Sequence, residues 1–238
     1  MSARLDLVYE HIKNARKSLM PGRVVDVGSD HGHTAISCLD SRVAISAVCT
    51  DINEGPARIC RANLDEAGYK DQATVVVTDG LDGVKLEPND IIVISGLGGL
   101  NTIDILKRTF SKTDLPDKKS LALVLQPQKT IEELRLFLKR EGFKIIDETA
   151  VKDQGFHYVV MTLTWDGSAD MSGLSDVEYS YLGPVLREKF ISGDPDAVEH
   201  YEYLLRTLTD RARSNDECGE AIDCILRLKD QSGSNCRI

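Results

Sequence analysis

Four places in the chain join glycine or a carboxylate to the end of an apolar run, and each can bind a polar ligand. Residues 24–32 read VVDVGSDHG: Gly28 can take a tight turn, Gly32 can open a helix with free amides, and Asp26 and Asp30 flank the turn. Asp51 closes the next run, AISAVCTD, where a carboxylate can accept both hydroxyl hydrogens of a ribose. In TDGL, residues 78–81, Asp79 can accept from an adenine amino group while Leu81 packs on its ring. In ISGLGGL, residues 94–100, Gly96, Gly98 and Gly99 sacrifice backbone entropy for close approach of a flat base or a reactive group. Each also has a plain reading: Gly28 as an ordinary turn, Asp30 and Asp51 as helix caps, Asp79 as a turn residue, the glycines as a squeezed helix entry. The first turn lacks the three glycines with which G-x-G-x-x-G approaches a pyrophosphate, which argues against a dinucleotide cofactor.

The elements that must carry these residues alternate. Short apolar runs at 23–28, 44–51, 73–78, 90–95 and 121–126 precede helical patterns through residue 39, at 56–67, from about residue 100 and at 130–141, with a loop after the third run. That rhythm predicts a parallel sheet covered on both faces, with ligands beyond the carboxyl ends of its strands. Runs at 143–151 and 157–165, separated by KDQG, predict a closing hairpin. From residue 167 a small-residue linker leads to helical patterns at 175–190, 197–213 and 217–229, and QSGSNCRI reads as a frayed end. We therefore expect a main domain over 1–167 and a helical extension over 168–238.

Composition narrows the class. The chain has 238 residues, 42% of them hydrophobic, and no continuous apolar span, so it reads as a soluble cytoplasmic protein without a membrane segment. Its net charge of −9 argues against a general nucleic-acid coat and leaves room for a local basic face from Arg4, Lys13, Arg16, Lys17 and Arg23, or from Arg206, Arg211, Arg213, Arg227 and Lys229. Six cysteines lie scattered without a CxxC pair, which suits reduced thiols and no metal.

Read together, GSDHG at 28–32, TDINEGP at 50–56, DGL at 79–81, SGLGG at 95–99, LQP at 125–127 and YLGPVL at 181–186 resemble the signature blocks of the bacterial family of tRNA adenine-22 N1-methyltransferases. The likeness spans most of the chain, from Arg4 and Leu5 onward. It implies an α/β, Rossmann-like class I methyltransferase with a seven-stranded, mostly parallel sheet and a small C-terminal helical domain. It also implies S-adenosylmethionine as cofactor, tRNA as partner, and a monomer or weak homodimer. The resemblance assigns cofactor binding to Asp26, Gly28, Ser29, His31, Asp51, Ile52, Asn53, Asp79, Gly80 and Leu81. Methyl transfer falls to Asp30, Ser95 and Gly96, and target binding to Arg4, His33, Leu97 and Gly98. The chain departs from the family where His33 replaces a tyrosine, and where Ser95 and Leu97 replace Ala and Met. A methyltransferase for another RNA position, a small molecule or a protein is the competing reading, and a non-catalytic cofactor-binding scaffold comes after it.

Overall fold

The computed structural model describes residues 2–168, 170–212 and 215–232. Its order is α1 (Ala3–Arg16), β1 (Arg23–Val27), α2 (His33–Asp40), β2 (Ser46–Asp51), α3 (Glu54–Glu66), β3 (Ala73–Val77), β4 (Ile91–Ser95), α4 (Gly99–Phe110), β5 (Ala122–Gln126), α5 (Ile131–Arg140), β6 (Phe143–Asp153), β7 (Phe156–Trp165), α6 (Pro184–Ile191), α7 (Pro195–Arg211) and α8 (Asp216–Ser232). Arg213, Cys236 and residues 233–238 of the expected frayed end lie outside the described residues, whereas residues 231–232 continue α8.

The seven strands form one sheet in the order β3-β2-β1-β4-β5-β7-β6. The first five run parallel, and β7 pairs antiparallel with both β5 and β6, so the alternating runs and the closing hairpin fold as their patterns predict. Strand polarity divides two cores. Val24, Cys49, Ile91, Val93 and Val124 face α1, α2 and α3, while Val25, Val27, Ile92, Ile94 and Leu125 face α4 and α5. Successive residues point to opposite faces, and both faces are covered, which is why β1, β4 and β5 are almost wholly apolar. The strand order reverses between β1 and β4, and their carboxyl ends open a crevice there.

The C-terminal helices share the second core, in which Leu182, Leu186, Phe190, Tyr201, Leu208 and Ile225 join Leu134, Leu138 and Met161. The helix expected over 175–190 is broken. A π-turn at Glu178–Leu182 ends at Gly183, and Pro184 starts α6. The cause lies beneath: Arg135 of α5 donates to Glu148 of β6 at 2.8 Å, with both side chains inaccessible to solvent. Arg135 also donates to the Ser180 and Tyr181 carbonyls, while Glu148 accepts from the Val185 and Leu186 amides. A Cβ at Gly183 would stand 2.5 Å from both the Arg135 Nη2 and Glu148 Oε2 atoms, so only glycine fits over the pair.

Two members of the expected basic face have structural work. Arg16 donates to the carbonyls of Val43, Met20, Asn89 and Arg23, and Arg23 pairs with Asp90 and Glu87.

Candidate functional site

The crevice holds a cavity of about 540 Å³, into which the ends of β1, β2 and β4 and the segment after β3 deliver seven of the residues singled out in the sequence. They are Gly28, Asp51, Ile52, Asn53, Asp79, Gly80 and Leu97. Gly28 takes φ +71°, and its amide donates to the Thr50 carbonyl at 2.8 Å, turning the chain sharply at the end of β1. Asp51 does not cap α3, which begins at Glu54 behind an Asn53 that makes no side-chain cap bond. Its Oδ1 instead accepts from the Asn53 amide at 2.9 Å, which fixes the carboxylate in the wall. Ile52, Leu97 and Ile105 supply apolar surface, and Ile52 is 64% exposed despite its size.

Arg108 of α4 stands at the cavity wall among three acids, bonding Asp79 and Asp104 at 3.1 Å each and pairing with Asp82. Neither it nor Asn101, Asp104 and Ile105 was legible in the sequence, because α4 presents them to the site only once it packs across β4. Leu81 is a correction. It is 1% exposed and lies in the second core, so the apolar walls come from Ile52, Leu97 and Ile105.

Beside the cavity a polar cluster joins the ends of β4 and β5. Arg4 of α1 donates from Nη1 to Ser95 Oγ at 3.0 Å and to Gln126 Oε1 at 2.7 Å, and its guanidinium lies 5.7 Å from the Tyr158 ring centre. The Gly96 amide donates to the same Gln126 Oε1, and Gly96 takes φ +84°. Gln126, wholly buried, is thus the hub of Arg4, Ser95 and Gly96. The glycines after it divide by task. A Cβ at Gly99 would stand 2.2 Å from the Thr130 carbonyl oxygen, so its reason is the squeezed helix entry, whereas Gly98 caps α4 against Lys129.

A family model described as a methyltransferase domain matches residues 1–161. The chain belongs to this methyltransferase family. Along nearly its whole length it is similar to the tRNA (adenine(22)-N(1))-methyltransferase of Bacillus subtilis, 28% identical over 238 residues that cover 97% of this chain and 96% of that protein. Two solved structures share the fold. The B. subtilis M1A22 tRNA methyltransferase TrmK is 23% identical with a TM-score of 0.69 and coverage of 98% and 97%. M. capricolum TrmK in complex with S-adenosyl-homocysteine is 20% identical with a TM-score of 0.71, covering 98% of each chain.

The remaining residues of the methyltransferase's first loop divide between surface and interior. Asp30 and His31 are exposed, with Asp30 Oδ2 3.5 Å from His31 Nε2, and the His31 and His33 rings are 5.6 Å apart. Asp30 takes φ +49°, and the N-cap of α2 is Gly32, so Asp30 does not cap that helix. Ser29 is turned inward, its hydroxyl 3.6 Å from Cys60 Sγ. Asp26 is buried beneath the turn, and loss of solvation pushes its carboxyl up to about 7. Cys38, Cys49, Cys60, Cys218 and Cys224 are free and buried. Among the described residues no His, Cys, Asp and Glu group suits a metal, and no helix is long and apolar enough to cross a membrane.

Proposed function

We propose that the chain is an S-adenosylmethionine-dependent methyltransferase that modifies N1 of adenine 22 in tRNA, in the cytoplasm. The observation that carries this reading is the convergence of the Gly28 turn, Asp51, Asp79 and Leu97 in one cavity beside the Arg4–Ser95–Gln126 cluster. The full-length similarity to the B. subtilis enzyme supports the choice of tRNA. The residues fit the cofactor: the positive φ at Gly28 lets backbone approach closely, Asp51 and Asp79 offer acceptors for ribose hydroxyls and an amino group, and Ile52, Leu97 and Ile105 offer apolar faces to a ring.

When bound, S-adenosylmethionine supplies an electrophilic methyl group on a sulfonium. Adenine N1 carries an unprotonated lone pair at neutral pH, so the protein has no strong base to provide. Its residues act by placement, which can contribute many kcal/mol when reacting atoms are held about 3 Å apart. Gln126 and Ser95 hold Arg4 where a base would enter, and Leu97 and Gly96 form the partition between base and cofactor. The ring becomes cationic on methylation, and Asp30 is the carboxylate that offsets that charge. The division at residue 167 follows the same logic, with 1–167 holding the cofactor and 168–238 holding RNA backbone.

Replacing Asp51 with Asn should keep the bond to the Asn53 amide through its oxygen and remove the charge facing the ribose. Cofactor affinity by calorimetry is then expected to fall about tenfold, the scale of one charge-assisted hydrogen bond.

Asp26 sets a pH dependence. Its raised value of about 7 means that the fold favours the protonated form, so its contribution to stability is full below about pH 4 and is lost as pH rises through 7. A cationic cofactor favours the ionised form, so affinity should rise about tenfold between pH 6 and pH 8. Asp26→Asn should flatten both profiles, and an unchanged affinity slope in that variant would exclude this role.

The function itself is tested by incubating the purified chain with unmodified tRNA and labelled cofactor, then identifying the methylated nucleoside by mass spectrometry and its position from mapped oligonucleotide fragments. Expected is 1-methyladenosine at position 22; label in another nucleoside, or none, contradicts the reading.

A further inference from the structure

A second chamber of about 240 Å³ opens behind the Arg4 cluster, between the β5–α5 loop, the start of β7 and helix α7. One loop divides it from the cofactor cavity. The Gln128 amide donates to the Leu97 carbonyl at 2.8 Å, so Leu97 faces one space and Gln128 the other. Tyr158, beneath the Arg4 guanidinium, lines it as well.

The lining mixes apolar side chains with aromatic rings and charged groups. His157 and Tyr203 stack face to face with centres 4.3 Å apart and planes 13° apart, and His200 lies next to both. Lys129 and Arg211 contribute positive charge to the wall, Arg211 being tied to Glu132 at 2.8 Å. Burial lowers the pKa of both imidazoles, that of His200 to about 3, so at neutral pH they offer a neutral ring face and a hydrogen-bonding nitrogen. His200 Nδ1 is buried and has no hydrogen-bond partner among the described residues. A flat heterocycle with donors and acceptors on its edge matches this lining, and the volume lies below the roughly 300–1,000 Å³ of sites for larger ligands.

We propose that this chamber seats a nucleobase adjacent to the target adenine on the same RNA strand. The inference rests on the tRNA reading and deepens it. An enzyme that modifies a base edge must draw that base out of its stack, which leaves the neighbouring base without a partner on one side. Stacking that neighbour on the Tyr158 or His157–Tyr203 rings restores the lost contact, while Lys129 and Arg211 stand where the linking phosphate can be met. Arg4, bonded to Ser95 and Gln126 and lying over Tyr158 of the chamber wall, then stands between the two bases.

The test uses the full chain and an unmodified tRNA transcript, with methyl transfer, cofactor affinity and thermal midpoint measured in parallel. Tyr203→Ala and His157→Ala should each raise KM for tRNA about tenfold, within the range of one base–aromatic stack, while kcat stays within about twofold and cofactor affinity is unchanged. Tyr203→Phe keeps the ring and should behave as wild type. Thr207→Met, which narrows the chamber from α7, should raise KM likewise and covers the case in which an alanine variant fails to fold. A wild-type KM in the folded alanine and filled variants overturns the chamber's role, as would parallel loss of cofactor affinity. Wild-type chain that transfers no methyl to tRNA overturns the tRNA reading instead.

Discussion

Asp30→Asn is expected to lower turnover about a hundredfold while leaving cofactor affinity unchanged. The substitution isolates charge. Asp30 sits at φ +49°, a conformation that Asn tolerates as well as Asp does, so the loop between β1 and α2 should keep its course. Because Gly32 is the N-cap of α2, no helix is uncapped by the change. The side chain is 65% exposed at the rim, so its removal should cost little stability. On the proposed mechanism, what remains is the loss of a negative charge beside a base that becomes cationic, and removing one preorganised electrostatic group typically lowers turnover by about 10²–10³-fold. Single-turnover kinetics with tRNA, set beside calorimetry of the cofactor, separates the two quantities. Full turnover in the variant would remove Asp30 from the mechanism.

Glu148→Ala should destabilise the chain by about 3–5 kcal/mol, the usual consequence of leaving one member of a buried ion pair without its partner. Arg135 would remain 1% exposed with its charge uncompensated, and the Val185 and Leu186 amides at the start of α6 would lose their acceptor. For a chain of this length that corresponds to a fall in thermal midpoint of roughly 10 °C. Denaturant unfolding checks the size. Replacing both partners with apolar residues, Arg135→Met with Glu148→Leu, should recover part of the loss, because no buried charge then stands alone. A Glu148→Ala variant as stable as wild type would show that the pair does not hold the helical region to the sheet.

The two variants report on different kinds of information. Asp30, Asp51 and Gly28 could be picked out in advance because a polar or glycine residue closing an apolar strand must lie at the sheet's edge, and parallel strands place all such edges at one end. The hairpin after α5 was legible for a similar reason, since period and turn chemistry are local. Leu81 was misplaced because its neighbours in sequence line the cavity, and only the packing of α4 shows that this side chain points the other way, into the core. Gln126 was recognised within the LQP block, yet its task is set by Arg4, 122 positions away.

Gly183 shows the limit most plainly. Residues 175–190 carry a helical pattern, and nothing local says that a buried Arg135–Glu148 pair will occupy the space a side chain would need there. Likewise Gly96 and Gly99 look alike in the chain, but one supports a left-handed turn beside Gln126 and the other clears a carbonyl of Thr130. The alternation of strands and helices and the acids at the strand ends were legible in the sequence, through short-range periodicity and the alternation of faces, and the family through its motif blocks. The partners of Arg4, the chamber lined by His157 and Tyr203, and the break before α6 were decided by tertiary structure, because each depends on close packing between residues that chain order keeps apart.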